Sequence, residues 1–147
     1  MIKKGFSLIE LLVVVAIMGI LIGLSAFGLQ QARESARDGQ RKSDLETIRT
    51  GLSFYRSDCN AYPINTGDFY TLFHPSFGST TCGGANTYIQ KTPKDSLSGN
   101  LYYYISTNGI TYTICASLET EGSTVPSGCP AGATGCGGYC NYAVYNP

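Results

Sequence analysis

Apolar and polar positions divide this chain into three regimes. From Leu11 to Leu29 no residue carries a charge, and at 1.5 Å per residue such a helix covers roughly 28 Å, close to the ~30 Å hydrocarbon layer of a bilayer. From Gln30 to Asp58 the pattern turns amphipathic. Ala32, Ala36, Leu45, Ile48, Leu52 and Tyr55 recur at three-, four- and seven-residue steps apart from a break near Gly39, with Arg, Lys, Asp and Glu on the other faces. One helix from about Phe6 to Asp58 is predicted, apolar all round in its first half and striped in its second. Gly19, Gly23 and Gly28 are its weak points, each costing about 1 kcal/mol relative to alanine. The stretch Cys59-Asn60-Ala61-Tyr62-Pro63 ends it, because proline disfavours helix in the residue before it.

Beyond Pro63 the helical period disappears. Residues 64–87 read as a glycine-containing connector in which Phe69, Tyr70, Leu72 and Phe73 form a short helical turn. The runs at 101–106 and 110–117 read as strands, joined as an antiparallel hairpin at Thr107-Asn108-Gly109, where Asn-Gly is the strongest turn signal. From residue 119 onward a glycine- and cysteine-rich tail is expected. The resulting organisation is residues 6–29 and 30–58 as two halves of the helix, and 59–147 as one globular domain with connector 59–87, sheet 88–118 and tail 119–147.

Charge is uneven. Eleven of the charged residues lie between Arg33 and Asp58, whereas six follow (Asp68, Lys91, Lys94, Asp95, Glu119 and Glu121), so the distal part suits strands and structured loops. Pairs such as Glu34 with Arg37, and Asp38 with Arg41 and Lys42, read as solvated pairs worth tenths of a kcal/mol, or as bridges to another copy. The neutral overall balance gives no polymer-binding character, and no nucleic-acid partner is expected.

All six cysteines, Cys59, Cys82, Cys115, Cys129, Cys136 and Cys140, fall after the helix, which reads as disulfides in an exported domain. The expected pairing is Cys59 with Cys82 across the connector, Cys115 with one of the three tail cysteines, and the remaining two with each other. Their C-x6-C-x3-C spacing does not fit zinc. Glu119 and Glu121 fall short of the six to eight oxygens calcium takes, so no metal or cofactor is expected. The lone His74 beside Pro75 reads as a loop residue. With no nucleophile–base arrangement, phosphate-binding glycine loop or rigidly paired carboxylates, an enzyme is not expected.

The residues around Gly5 are more specific. Lys3-Lys4-Gly5 leads into Phe6-Ser7-Leu8-Ile9-Glu10-Leu11-Leu12-Val13-Val14-Val15-Ala16-Ile17. The apolar run is too long for an ordinary secretory signal, and no small-residue cleavage site follows it. This continuous motif resembles the leader and cleavage site of type IV pilins and pseudopilins. The resemblance implies removal of residues 1–5 by prepilin peptidase, with cleavage after Gly5 and N-methylation of the new terminus at Phe6. It also implies an α+β pilin-like fold, in which the long N-terminal helix packs on a small antiparallel sheet with disulfide-stapled loops. Before assembly the chain would cross the inner membrane once, in contact with lipid; afterwards it would polymerise through the helix on a membrane platform driven by an ATPase.

Glu10 would be the assembly residue, since an acid inside an apolar layer is costly unless paired and the neighbouring subunit's Phe6 amine supplies a partner. Two members of the class remain open, together with a membrane-anchored exported protein that does not polymerise. A type IV pilin, building a surface fibre for adhesion, motility or DNA uptake, is favoured by the cysteine-stapled tail. A type II secretion pseudopilin, building a periplasmic filament, is favoured by Tyr88-Ile89, Pro93-Lys94-Asp95, Gly99-Asn100, Tyr102 and Tyr104, which resemble the middle of the major pseudopilin. The calcium loop of that subfamily has no counterpart after Ile114. The pilin is the reading preferred on sequence.

Overall fold

The computed structural model describes residues 5–80, 82, 84–131 and 135–146; Lys3 and Lys4 of the expected leader lie outside this set. The secondary structure begins with α1 (Leu8–Cys59), a helix of 52 residues, followed by β1 (Asn65–Asp68), α2 (Phe69–Phe73), β2 (Phe77–Ser79) and β3 (Asn86–Ile89). Then come β4 (Tyr103–Ser106), β5 (Thr113–Ala116) and β6 (Tyr142–Tyr145). The chain forms an α+β pilin-like architecture in two compact units, Met1–Ala36 and Arg37–Pro147.

In the first unit the helix carries its apolar side chains outward: Leu8, Leu12, Ile17, Leu21 and Leu24 are all more than half exposed. In the second unit the helix has a packed face. Leu45, Ile48 and Leu52 are fully buried against Phe69, Phe77, Tyr104 and Ile114. Ala32 and Ala36, expected to begin this stripe, are exposed, and packing starts at Asp38 instead. Alanine contributes little buried area, so nothing in these two residues draws the domain toward them. Gly51 has a structural reason: a Cβ there would lie 2.5 Å from Cγ1 of Ile89, so the bare backbone lets β3 approach the helix.

Helix α1 stops where expected. Asn60 takes a left-handed conformation (φ 56°), a C-terminal solution that asparagine tolerates, and its N–H donates to the Arg56 carbonyl at 2.8 Å. The connector is more ordered than its composition suggested, for it contains β1, β2 and β3 around α2. Asp68 caps α2 by accepting from the Tyr70 and Thr71 N–H groups. Strands β1 and β2 escaped the sequence reading because Asn65-Thr66-Gly67-Asp68 and Phe77-Gly78-Ser79 carry no alternating apolar pattern, so strand pairing and not local propensity makes them extended; β3 overlaps the start of the expected sheet at residue 88 but pairs with β2.

The main sheet is antiparallel in the order β1-β4-β5-β6, with β2 and β3 forming a separate pair. Tyr104, Ile114 and Val144 stand in register and face the helix core, whereas Tyr103, Cys115 and Ala143 stand in register on the opposite face. There Cys115, Cys136 and Cys140 form a second, fully buried cluster. The tail is therefore a layer over the sheet that also supplies strand β6. Gly137 makes this covering possible: it has φ 75°, and a Cβ would fall 1.6 Å from the Gly99 carbonyl oxygen. The disulfides are Cys59–Cys82, Cys115–Cys129 and Cys136–Cys140.

The Asn108-Gly109 turn is built by its side chain. Asn108 Oδ1 accepts from the N–H groups of Ile110 and Thr111, and Gly109 sits at φ 68°. Tyr62 N–H donates to the Gly109 carbonyl at 2.7 Å, tying the turn to the segment that leaves α1.

Candidate functional site

Gly5, Phe6 and Glu10 lie at the start of α1. Phe6 is 83% exposed, and the Ser7 N–H donates to Glu10 Oε2 at 3.1 Å. Ser7 and Glu10 thus stand three residues apart as one half of a capping box, in which an acid at the third helical position satisfies a terminal N–H. The acid also favours the positive end of the helix dipole. Ser-x-x-Glu was visible in the sequence, but its capping role was masked by the apolar run around it. Helix α1 is long and apolar enough to cross a membrane.

A second constellation anchors the globular unit to its stretch of helix. Arg41 is 1% exposed; its Nε donates to Asp95 at 2.6 Å, and its Nη1 donates to Asp38 at 2.7 Å and to Glu119 at 2.8 Å. Asp38, 3% exposed, accepts the N–H groups of Glu119 and Thr120 and the Thr120 hydroxyl. Arg37 makes a bidentate pair with Glu119. Burial alone would discourage charge on Arg41, but bonds to Asp95, Glu119 and Asp38 outweigh it and raise its pKa above the ordinary value. Burial likewise opposes ionisation of Asp38, yet the backbone N–H groups of Glu119 and Thr120 with the Thr120 hydroxyl and Arg41 hold its pKa below the usual range. Arg37, against some burial and with help from Arg41, does the same for Glu119.

These contacts correct the reading of the helix charges as solvated pairs. Asp38 and Arg41 form a buried pair. Arg37 engages Glu119 and Lys42 engages Glu121, whereas Glu34 accepts from Gln30. Sequence spacing shows which charges neighbour one another along a helix; it cannot show that loops 92–97 and 117–121 close over them. The carboxylates of Glu119 and Glu121 are occupied by cations, and among the described residues no group of three or more His, Cys, Asp or Glu side chains is arranged to hold a metal ion. His74 follows α2, its ring 4.6 Å from that of Tyr70.

A charge-poor apolar helix continuing into a disulfide-braced sheet domain defines a pilin-like protein. Residues 1–26 match the family described as prokaryotic N-terminal methylation motif. Residues 29–128 match the family described as type II secretion system (T2SS), protein G, and the chain belongs to that family. Its type II secretion system core protein G relatives include that of Pseudomonas aeruginosa, 32% identical over 106 residues covering 71% of this chain and 74% of that protein. The Aeromonas hydrophila protein is 32% identical over 109 residues, 71% of this chain and 73% of the relative. The Vibrio cholerae protein is 32% identical over 108 residues, 71% of each. No solved structure matches this chain. The family favours the pseudopilin over the surface fibre preferred on sequence; the cysteine-rich tail that inclined the reading toward a pilin lies mostly beyond the matched residues.

Proposed function

We propose that this chain is a structural pseudopilin of a type II secretion system, a polymerising subunit and not an enzyme. Prepilin peptidase cuts it after Gly5 and its new Phe6 terminus is methylated. The first half of α1 then waits in the inner membrane until an assembly platform and its ATPase extract it into a periplasmic filament. The observation that carries this reading is the exposure of the apolar residues from Phe6 to Leu24 around the single carboxylate of Glu10. An apolar helix that its own chain leaves uncovered is stable in lipid or against other copies, and each exchanges water-facing area for burial at about 25 cal/mol per Å². Glu10 then favours the axial register that brings it to a neighbour's Phe6 amine, because a slipped register leaves a buried charge unpaired.

N-terminal mass spectrometry on envelope and sheared surface fractions tests this. A methylated Phe6 terminus confined to the envelope, in a high-molecular-mass form, is expected. Abundant processed protein in the sheared fraction would transfer the chain to surface pili, and an intact Met1 would leave a simple membrane-anchored protein. Gly5→Val should block processing, so a Phe6 terminus recovered from that variant would contradict the assigned cut.

A further inference from the structure

Within the second unit, the face of α1 that looks to solvent has flanks of opposite charge. Lys42, Arg49 and Arg56 recur at seven-residue intervals, so they share one line along the helix with a drift of about 20° per step. Their contacts fix the side of that line: Lys42 reaches Glu121 and the Tyr142 ring, and Arg56 reaches the Tyr62 hydroxyl and lies over that ring. Asp44 and Asp58 occupy the other flank, about 21 Å apart along the axis. Asp44 accepts from Gln40 and the Tyr102 hydroxyl, and Asp58 accepts from Asn86 and the Tyr88 hydroxyl.

Between the flanks runs a strip of Ser43, Thr47, Thr50, Ser53 and Ser57 that also holds the exposed Phe54 ring and a single charge, Glu46. The hydroxyls of Thr47, Thr50 and Ser53 donate to carbonyls four residues earlier in the same helix. Small side chains whose donors are already satisfied permit close approach without stranding a polar group. The charges beside them are less satisfied. Among the described residues, Asp44 and Asp58 have no cationic partner and Arg56 has no carboxylate partner, whereas Arg49 has a long 3.6 Å contact with Glu46.

We propose that this face is a copy-to-copy interface, in which the basic row ending at Arg56 in one chain lies against the acidic flank of Asp44 and Asp58 in the next. The occupant is a second copy because the complementary partner is the other side of the same face. Such a contact uses different patches on the two copies, so it is heterologous and propagates into a filament when the rotation does not close. It rests on the polymerising role proposed above, adding a lateral contact in the globular unit to the pairing at Glu10.

Charge reversal in the full-length chain tests it, with processed polymer quantified by cross-linking and sedimentation relative to the processed membrane pool. Arg56→Glu should lower polymer yield roughly tenfold, since like charges facing across an interface are repulsive. Asp58→Lys or Asp44→Lys added to Arg56→Glu should restore most of it, according to which acid the register brings opposite. The denaturation midpoint of each oxidised variant separates misfolding from lost contact; Asp44 also holds Tyr102, so that control matters most for Asp44→Lys. Wild-type yield in Arg56→Glu, or failure of both second reversals to rescue a folded chain, overturns the interface while leaving the polymer intact. Absence of polymer from the wild type overturns the interface and the polymerising role together.

Discussion

The two parts of α1 share a helix and almost nothing else. From Leu8 to Ala36 the described side chains are exposed around nearly the whole circumference, whereas from Arg37 to Cys59 one face is sealed by aromatic rings and by salt bridges to two loops. Helical backbone is satisfied internally in both, so hydrogen bonding does not distinguish them. What differs is the source of burial. The second part finds it in its own chain, and the first must find it in lipid or in other copies. A packed domain carried on an apolar helix that its own chain leaves uncovered suits the transfer from membrane to filament proposed above.

The largest expected effect breaks the first part while leaving the second untouched. Glu10→Val should preserve membrane insertion, processing and domain stability but abolish most polymer, measured as cross-linked ladder per processed subunit; undiminished polymer would remove the charge-pairing argument. Arg41→Ala does the reverse. It strands Asp38 and Asp95 beneath the loops, and removing one partner of a buried ionic cluster costs about 3–5 kcal/mol, readable in a urea titration of the oxidised protein. Replacing Cys115 and Cys129 together with alanine should cost about 3 kcal/mol by freeing a loop of 14 residues, in the same titration.

Acid sharpens the contrast more gently. Asp38 and Glu119 have ordinary values of 3.8 and 4.5 that folding lowers, so their contribution is full above those values and is lost as pH falls through the lower folded ones. Thermal stability should therefore be level from about pH 5 to 8 and decline below about pH 4, and Asp38→Asn should flatten the acid limb. The smallest effect belongs to Tyr112. Burial pushes its hydroxyl up to about 12 and the hydroxyl makes no hydrogen bond, nearby Tyr62 reinforcing the rise and Arg49 offsetting part of it. Tyr112→Phe should be neutral or slightly stabilising. Tyr104→Phe removes a 2.8 Å bond to the Pro63 carbonyl and should cost about 1 kcal/mol.

Much of this molecule could be read from its residues in order. Helix α1 followed from the absence of charge between Leu11 and Leu29, the 45-48-52 stripe and Pro63, because helices are specified by local period and local stops. Phe69 to Phe73 read as a helical turn for the same reason, and the strand runs at 101–106 and 110–117 contain β4 and β5. The N-terminal motif fixed the class, because processing signals are read as linear sequence. Strands β1, β2 and β6 were not legible, and β3 only from residue 88: each is extended because a partner strand is there to pair with it.

The buried cluster at Arg41 was hidden for a related reason. A charged residue on an amphipathic helix is solvated by default, and Arg41 is buried because Asp95 and Glu119, more than fifty residues away, fold over it. The cysteines show the boundary most plainly. Their number and position predicted three disulfides and the pairing of Cys59 with Cys82, yet whether Cys115 joined Cys129, Cys136 or Cys140 depended on which tail cysteine crosses the outer face of β5. Sequence by itself determined what is local: the helix, its apolar half, its stops and its processing motif. Tertiary structure decided sheet order, disulfide partners in the tail and the burial of Arg41, because each depends on the free energy of contacts between segments distant along the chain.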